Sequence, residues 1–168
     1  MIKFSILTIS TRGSRGERKE DLGAQSIREA MTEVESEEID YKVIPDDKGQ
    51  IVWQLKRMVE VVKADVVITT GGTGMSPTDV TPEATLEVIQ RRLPGFEEAM
   101  RMEGFKKTPF AILSRAVVGI RENSIVINLP GSPKGVLDCL SIILPTLPHA
   151  VKVARGRNIA DEEHTFKV

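Results

Sequence analysis

Ala64-Asp65-Val66-Val67-Ile68-Thr69-Thr70-Gly71-Gly72-Thr73-Gly74-Met75-Ser76-Pro77-Thr78-Asp79-Val80-Thr81-Pro82-Glu83-Ala84-Thr85 is the stretch that decides the fold. Its apolar start, Val66 to Ile68, suits a strand buried on both faces. The strand runs into a glycine turn, then a polar loop, then a helix beginning at a proline. Gly71, Gly72 and Gly74 open dihedrals closed to residues with side chains, which frees backbone N–H groups to face a ligand. Thr81 is expected to cap the helix, Pro82 to occupy its first position, and Glu83 to place negative charge in its first turn. Asp79 falls between turn and helix. A loop at the carboxyl end of a parallel strand is where open α/β sheets bind ligands. The hydroxyls of Thr70, Thr73, Ser76 and Thr78 suit phosphate or ribose oxygens there. The alternative is a tight strand-to-helix connection with solvated threonines. Neither standard nucleotide fingerprint fits: GxxxxGK(S/T) is absent, and the turn lacks the third glycine of GxGxxG.

Working outward, strand and helix alternate. Lys3 to Ser10 is predicted as a strand, and Leu22, Ile27, Ala30, Met31 and Val34 as the apolar face of a helix ending at an acidic turn, Glu35 to Glu38. Ile39 to Ile44 is a second strand, and Ile51, Leu55, Met58, Val59 and Val62 repeat at helical intervals before the glycine-turn strand. This β-α-β-α-β series implies a parallel sheet with right-handed crossovers and helices on both faces. Beyond it, helices are predicted over Pro82–Arg91 and Pro94–Phe105. Ala116–Ile120 and Ser124–Leu129 form a hairpin, and a last helical region runs from Pro133 to about Arg155, broken near Pro145 and Pro148. The expected fold is a three-layer α/β/α domain over 1–168, with a mostly parallel sheet and an added antiparallel hairpin.

The chain has 168 residues, enough for one such domain. Its 23 basic and 24 acidic side chains nearly cancel, so no general attraction for nucleic acid is expected and any anion site must be local. The N-terminus is too short and too strand-like for a signal peptide, and no long apolar run follows, so a cytoplasmic protein without membrane contact is expected. Cys139 is the one cysteine, which excludes an intrachain disulfide and a cysteine-based zinc site. Its helical spacing with Val136, Leu140 and Ile143 fits a small buried apolar role. His149 and His164 are expected at the surface or an interface.

Loops after different parallel strands emerge along one sheet edge. Ser10-Thr11-Arg12-Gly13-Ser14-Arg15-Gly16 brings hydroxyls and guanidiniums suited to phosphate. Pro45-Asp46-Asp47-Lys48-Gly49 brings two carboxylates, of which one is expected to cap the next helix. Asn128-Leu129-Pro130-Gly131-Ser132-Pro133-Lys134-Gly135 again runs from strand through glycine to a proline-started helix, an anion cradle with Ser132 and Lys134. Carboxylates beside phosphate sites become useful when Mg²⁺ bridges them to phosphate oxygens.

The run Thr69 to Gly74 followed by Asp79-Val80-Thr81-Pro82-Glu83-Ala84-Thr85 resembles the signature of the molybdopterin adenylyltransferases, the MogA/MoaB family related to the gephyrin G domain. Ile44-Pro45-Asp46-Asp47, Ala111-Ile112-Leu113-Ser114-Arg115 and Asn128 to Lys134 also match that family's segments, in order, over nearly the whole chain. The resemblance implies Mg²⁺-dependent transfer of AMP from ATP to the terminal phosphate of molybdopterin, with release of pyrophosphate. It places the catalytic, Mg²⁺-holding aspartates at Asp46 and Asp79. The loops and the resemblance together mark Thr11, Arg12, Thr70, Gly71, Gly72, Thr73, Gly74, Ser114, Arg115, Asn128, Pro130, Gly131, Ser132 and Lys134 as substrate- or nucleotide-binding. A homotrimer or larger homo-oligomer is implied, with product passing to a separate molybdenum insertase. The fused relatives' additional domains are not expected here, nor is insertase activity. Two rivals stand beside it: a CinA-type domain acting on nucleotide pyrophosphates, and a non-catalytic scaffold that binds a pterin or a partner protein.

Overall fold

Three central strands each split their side chains between two cores. In β1 (Ile2–Ile9), Ile2, Phe4 and Ile6 point into one cluster and Leu7 and Ile9 into the other. The same alternation divides Val66 and Ile68 from Val67 in β3 (Val66–Thr70), and Ile125, Ile127 and Leu129 from Val126 in β6 (Ser124–Leu129). A strand buried on both faces needs a helical layer on each. One layer is α3 (Lys48–Glu60) and α4 (Thr81–Val88), which contribute Ile51, Leu55, Met58, Ala84 and Val88. The other is α2 (Leu22–Met31), α5 (Pro94–Lys107), α6 (Pro133–Ile143) and α7 (Leu147–Ala154), which contribute Ile27, Met31, Met100, Leu140 and Val151. The structure, a computed structural model, describes residues 1–17 and 20–156, so the expectation for His164 lies outside the described residues.

With β2 (Ser36–Ile44), β5 (Val118–Arg121) and β4 (Arg91–Arg92), the sheet has six strands in the order β2-β1-β3-β6-β5-β4. β2, β1, β3 and β6 are mutually parallel, while β5 runs antiparallel to both of its neighbours, β6 and β4. This is the expected three-layer fold with its hairpin. The expected loop after β1 is instead a helical turn, α1 (Thr11–Ser14), with Ser10 as its N-cap.

Three local expectations are corrected. Glu35–Glu38 is not wholly a turn, because β2 begins at Ser36 and pairs Ser36 with Ile2. An edge strand keeps one side in water, so Glu37 remains exposed and Glu38 meets the Arg28 guanidinium at 2.7 and 2.9 Å. The helix expected to reach Arg91 stops at Val88, and Arg91–Arg92 joins the sheet edge. Gly119 permits this, since a Cβ there would lie 2.7 Å from the Arg91 carbonyl oxygen. Thr81 does not cap α4: it is the first helical residue, and its buried hydroxyl donates to the Gly71 carbonyl at 3.0 Å. The last helical region breaks between α6 and α7, near Pro145 and Pro148 as expected, with Pro148 in the first turn of α7. Among the described residues no single helix is long and apolar enough to cross a membrane. α6 and α7 together pass by length and composition, but they bend by 68° and bury Leu140, Leu147 and Val151 in the core.

Candidate active site

The carboxyl ends of β1, β3 and β6 emerge on one edge, and the turns after β3 and β6 back onto each other. Gly71 and Gly72 have φ of 98° and 67°, a region that favours glycine. The Gly71 N–H donates to the Leu129 carbonyl at 3.2 Å and the Thr70 hydroxyl to the Pro130 carbonyl at 2.8 Å. A Cβ on Gly131 would sit 3.4 Å from the Gly71 Cα. The N–H groups of Gly72, Thr73 and Gly74 take no partner among the described residues and remain free as donors. A Cβ on Gly71 would overlap the Ile9 carbonyl oxygen. Gly71→Ala is therefore expected to cost about 2–4 kcal/mol from left-handed strain and overpacking. Urea unfolding of the variant measures this, and an unchanged midpoint would show that the turn relaxes without cost.

The two aspartates after β2 divide their tasks. Asp47 caps α3, accepting from the Gln50 N–H at 2.8 Å. Asp46 instead points inward, its Oδ2 accepting from the Thr11 N–H at 2.9 Å and the Thr11 hydroxyl at 2.7 Å. Its Oδ1 faces Gly72, 3.4 Å from where a Cβ there would stand. Asp79 accepts the Ser76 N–H through Oδ2 at 3.0 Å, and the same oxygen lies 2.8 Å from a Cβ built on Gly74. The Oδ1 atoms of both carboxylates carry no hydrogen bond among the described residues.

Two cavities meet at this ridge. One, of 480 Å³, has apolar walls from Met100, Phe110, Ala111 and Leu113, and it also touches Thr73, Gly74, Asp79, Ser114, Pro130 and Ser132. The other, of 560 Å³, is polar and is lined by Thr8, Ser10, Thr11, Arg12, Asp21, Asp46, Thr70, Gly71 and Thr78. Gly72 and Gly131 belong to both. Each volume suits one small-molecule substrate.

Most expected site residues thus come together, but three take other positions. Asn128 is fully buried: its Nδ2 donates to the Thr69 and Thr85 hydroxyls at 3.0 and 2.9 Å, and its Oδ1 accepts the Val117 N–H at 3.2 Å. It braces β6 against β3 and α4 behind the cavities. Arg115 spends its guanidinium on the glycine loop, donating to the carbonyls of Gly74 at 2.8 Å and Asp79 at 2.7 Å and pairing with Glu83. Lys134 is exposed on the first turn of α6 and lines neither cavity, while Ser132 both borders the apolar cavity and caps α6 through the Gly135 N–H at 3.2 Å.

Sequence reasoning missed Thr8 and Asp21 on the polar side and Met100, Phe110, Glu97 and Arg101 on the apolar side. Asp21 had one detectable signal, an acidic residue before an apolar-periodic helix, which marks an N-cap. Cys139 is half-buried in the apolar wall rather than fully in the core. Burial and the nearby Asp138 push its thiol up to about 11, so it stays protonated and is no nucleophile. His149 is exposed, as expected.

Residues 5–149 match the family model described as "Probable molybdopterin binding domain". A molybdopterin adenylyltransferase of Helicobacter pylori is 42% identical over 168 residues, covering 99% of this chain and 95% of that protein. The chain belongs to the molybdopterin adenylyltransferase (MogA/MoaB) family. Among solved structures of this family, MoaB of Thermus thermophilus superposes with a TM-score of 0.88 at 43% identity, covering 94% of this chain and 98% of that one. The gephyrin relationship also appears: Dictyostelium discoideum gephyrin is 39% identical over 129 residues, 76% of this chain and 18% of gephyrin. CinA of Thermoplasma acidophilum, at 19% identity and a TM-score of 0.62 over 88% of this chain and 97% of that one, shares the fold alone.

Proposed function

We propose that this chain transfers AMP from ATP to the terminal phosphate of molybdopterin, giving adenylylated molybdopterin and pyrophosphate. The observation that carries this reading is the pair of cavities joined at Gly72 and Gly131, with Asp46 on one side and Asp79 on the other. Two organic substrates lodged separately would meet, phosphate to phosphate, over the free N–H groups of Gly72, Thr73 and Gly74. The pterin phosphate oxygen forms a bond to the α-phosphorus of ATP as the bond from that phosphorus to the bridging oxygen breaks. The nucleophile is already an anion, so no general base is required, and positioning with charge neutralisation supplies the catalysis.

Mg²⁺ fits the donor set. Asp46 and Asp79 each present an unpartnered Oδ1, hard oxygen ligands that phosphate oxygens and water would complete, and no cluster of three or more His, Cys, Asp or Glu occurs among the described residues. Bound there, the ion would neutralise charge on the phosphates. The same family reading makes the protein a cytoplasmic homo-oligomer, a trimer or larger, that hands its product to an insertase. Exposed Phe105, Phe110 and Ile112 supply apolar surface that such an assembly would cover.

Incubation with molybdopterin, ATP and Mg²⁺ is expected to yield adenylylated pterin and pyrophosphate, and excess EDTA to abolish both. Folded protein that binds molybdopterin yet forms no product would support a non-catalytic scaffold.

Ser132 and the first turn of α6 are assigned to the pterin substrate's phosphate, with Lys134 adding positive charge at the rim. The Ser132→Ala, Lys134→Ala double variant is expected to bind molybdopterin about tenfold more weakly, the equivalent of one lost charge-assisted contact, with little change toward the dephosphorylated pterin. Titration with both forms checks this. Equal weakening toward both would leave Ser132 as a cap alone.

A further inference from the structure

Ser114 is extended, with φ of −67° and ψ of 124°, and side chains of extended backbone alternate in direction. Ser114 and Ala116 accordingly line the apolar cavity, whereas Arg115 between them lines neither cavity. It turns instead to the loop that carries Asp79. Its Nε donates to the Gly74 carbonyl at 2.8 Å and one terminal nitrogen to the Asp79 carbonyl at 2.7 Å, while the other pairs with Glu83 in the first turn of α4. Its backbone N–H donates to the Thr73 carbonyl at 2.9 Å. One residue thus holds both ends of the segment 74–79 and ties them to α4.

No other hydrogen bond among the described residues joins that segment to the rest of the protein. Its remaining bonds are internal: the Asp79 N–H donates to the Ser76 carbonyl at 2.9 Å, the Ser76 N–H to Asp79 Oδ2 at 3.0 Å, and the Ser76 and Thr78 hydroxyls meet at 3.0 Å. Burial does not fix its course either. Met75, its largest apolar side chain, is 66% exposed, and Ser76, Pro77 and Thr78 are exposed with it. The place of Asp79 beside the glycine ridge therefore depends on what grips the backbone at either end.

We propose that Arg115 is a positioning residue for the transfer reaction: its guanidinium fork, rather than its charge, holds the segment 74–79 so that the Asp79 carboxylate stays aimed at the ridge. The role rests on the proposed function, since it acts through Asp79 as a metal-holding carboxylate. A planar guanidinium presents N–H groups in a fixed fork and serves Gly74, Asp79 and Glu83 together. A lysine ammonium is a point charge on a flexible stem and cannot hold that arrangement.

Arg115→Lys and Arg115→Ala, each alone and combined with Asp79→Asn, test this with two readouts, product formation and the Mn²⁺ affinity of the ATP-bound protein by electron paramagnetic resonance. Arg115→Lys keeps a cation beside Glu83 and is expected to stay folded. Both single variants are expected to lose about 10–100-fold in kcat and about tenfold in Mn²⁺ affinity, the usual cost of losing a group that orients a metal ligand. ATP affinity in EDTA stays at the native value. In the Asp79→Asn background the same changes cost less than about twofold more, because the carboxylate they position is already gone. Native kcat and Mn²⁺ affinity in Arg115→Lys would overturn the proposal by showing that charge suffices. Weaker ATP binding in EDTA would overturn it by making Arg115 a substrate contact, and losses that multiply with those of Asp79→Asn by separating the two residues. Native protein that takes up no Mn²⁺ beside ATP would also overturn it. Failure of the native protein to form product would instead overturn the adenylyltransferase reading, and the Mn²⁺ titrations would then decide the positioning role.

Discussion

Asp46→Asn and Asp79→Asn are each expected to lower kcat by about 10²–10³-fold while the protein stays folded. Each change removes a negative charge beside the glycine ridge and keeps the side chain's size. The amide oxygen introduced by Asp46→Asn would still accept the Thr11 N–H, as the Asp46 carboxylate does now at 2.9 Å, so the loop after β2 keeps its anchor. The Ser76 N–H bond to Asp79 at 3.0 Å survives in the same way. Helix capping is untouched, because Asp47 performs it. The loss should fall on kcat, with a higher Mg²⁺ concentration needed for half-maximal rate, and only modestly on the binding of either substrate. Steady-state rates over a Mg²⁺ series together with a melting curve check this. Unchanged kcat in both variants would remove the carboxylates from the mechanism, and a large drop in melting temperature would make them structural.

The largest effect on stability is expected at Glu97. Its carboxylate is 1% exposed, takes a two-pronged contact from Arg92 at 2.9 and 2.8 Å, meets Arg101 at 3.4 Å and accepts the Val118 N–H at 3.0 Å. One side chain thereby joins α5 to the antiparallel edge, β4 and β5, and borders the apolar cavity. Glu97→Ala leaves the buried Val118 donor unpaired and removes the counter-charge of Arg92 and Arg101, at an expected cost of about 3–5 kcal/mol in chemical unfolding. The pH dependence follows from the same contacts. Burial alone would raise the carboxyl, but Arg92, the Val118 N–H and Arg101 hold it below its ordinary value of 4.5. A lowered native pKa means that the native state favours the charged form. This contribution is complete above the unfolded value and is lost as pH falls from there through the lower native value. Native protein should therefore lose stability in acid more steeply than Glu97→Gln. Parallel acid-unfolding curves would refute the assignment.

The central layers were legible because their signals are local. Val66–Ile68 and the apolar-rich stretch Lys3–Ser10 report burial directly, and Pro94 and Pro133 mark helix starts whose missing N–H would be unpaired anyway. The misreadings arose where a distant partner decides the outcome. Arg91–Arg92 left its helical pattern because Gly119, far along the chain, offers a close-packed edge and Glu97 captures the Arg92 guanidinium. Thr81 lost its capping role to the Gly71 carbonyl. Arg115 and Asn128 resembled ligand-binding residues by type and motif, yet their donors are spent on Gly74, Asp79, Thr69 and Thr85, and no spacing rule reveals that.

By itself the amino-acid sequence determined the layered α/β fold, the family, and the set of loops that make up the candidate site, since periodicity, turn glycines and motif order are properties of the chain. Tertiary structure alone decided how those loops divide the site: two cavities of opposite character joined at Gly72 and Gly131, with Asp46 turned inward while Asp47 caps. It also decided that Thr8 and Asp21, unremarkable in a strand and before a helix, stand together in the polar cavity. The physical reason is that a residue's type and local pattern state what it can bond, whereas burial and the neighbours brought by parallel pairing settle which of those bonds are already taken.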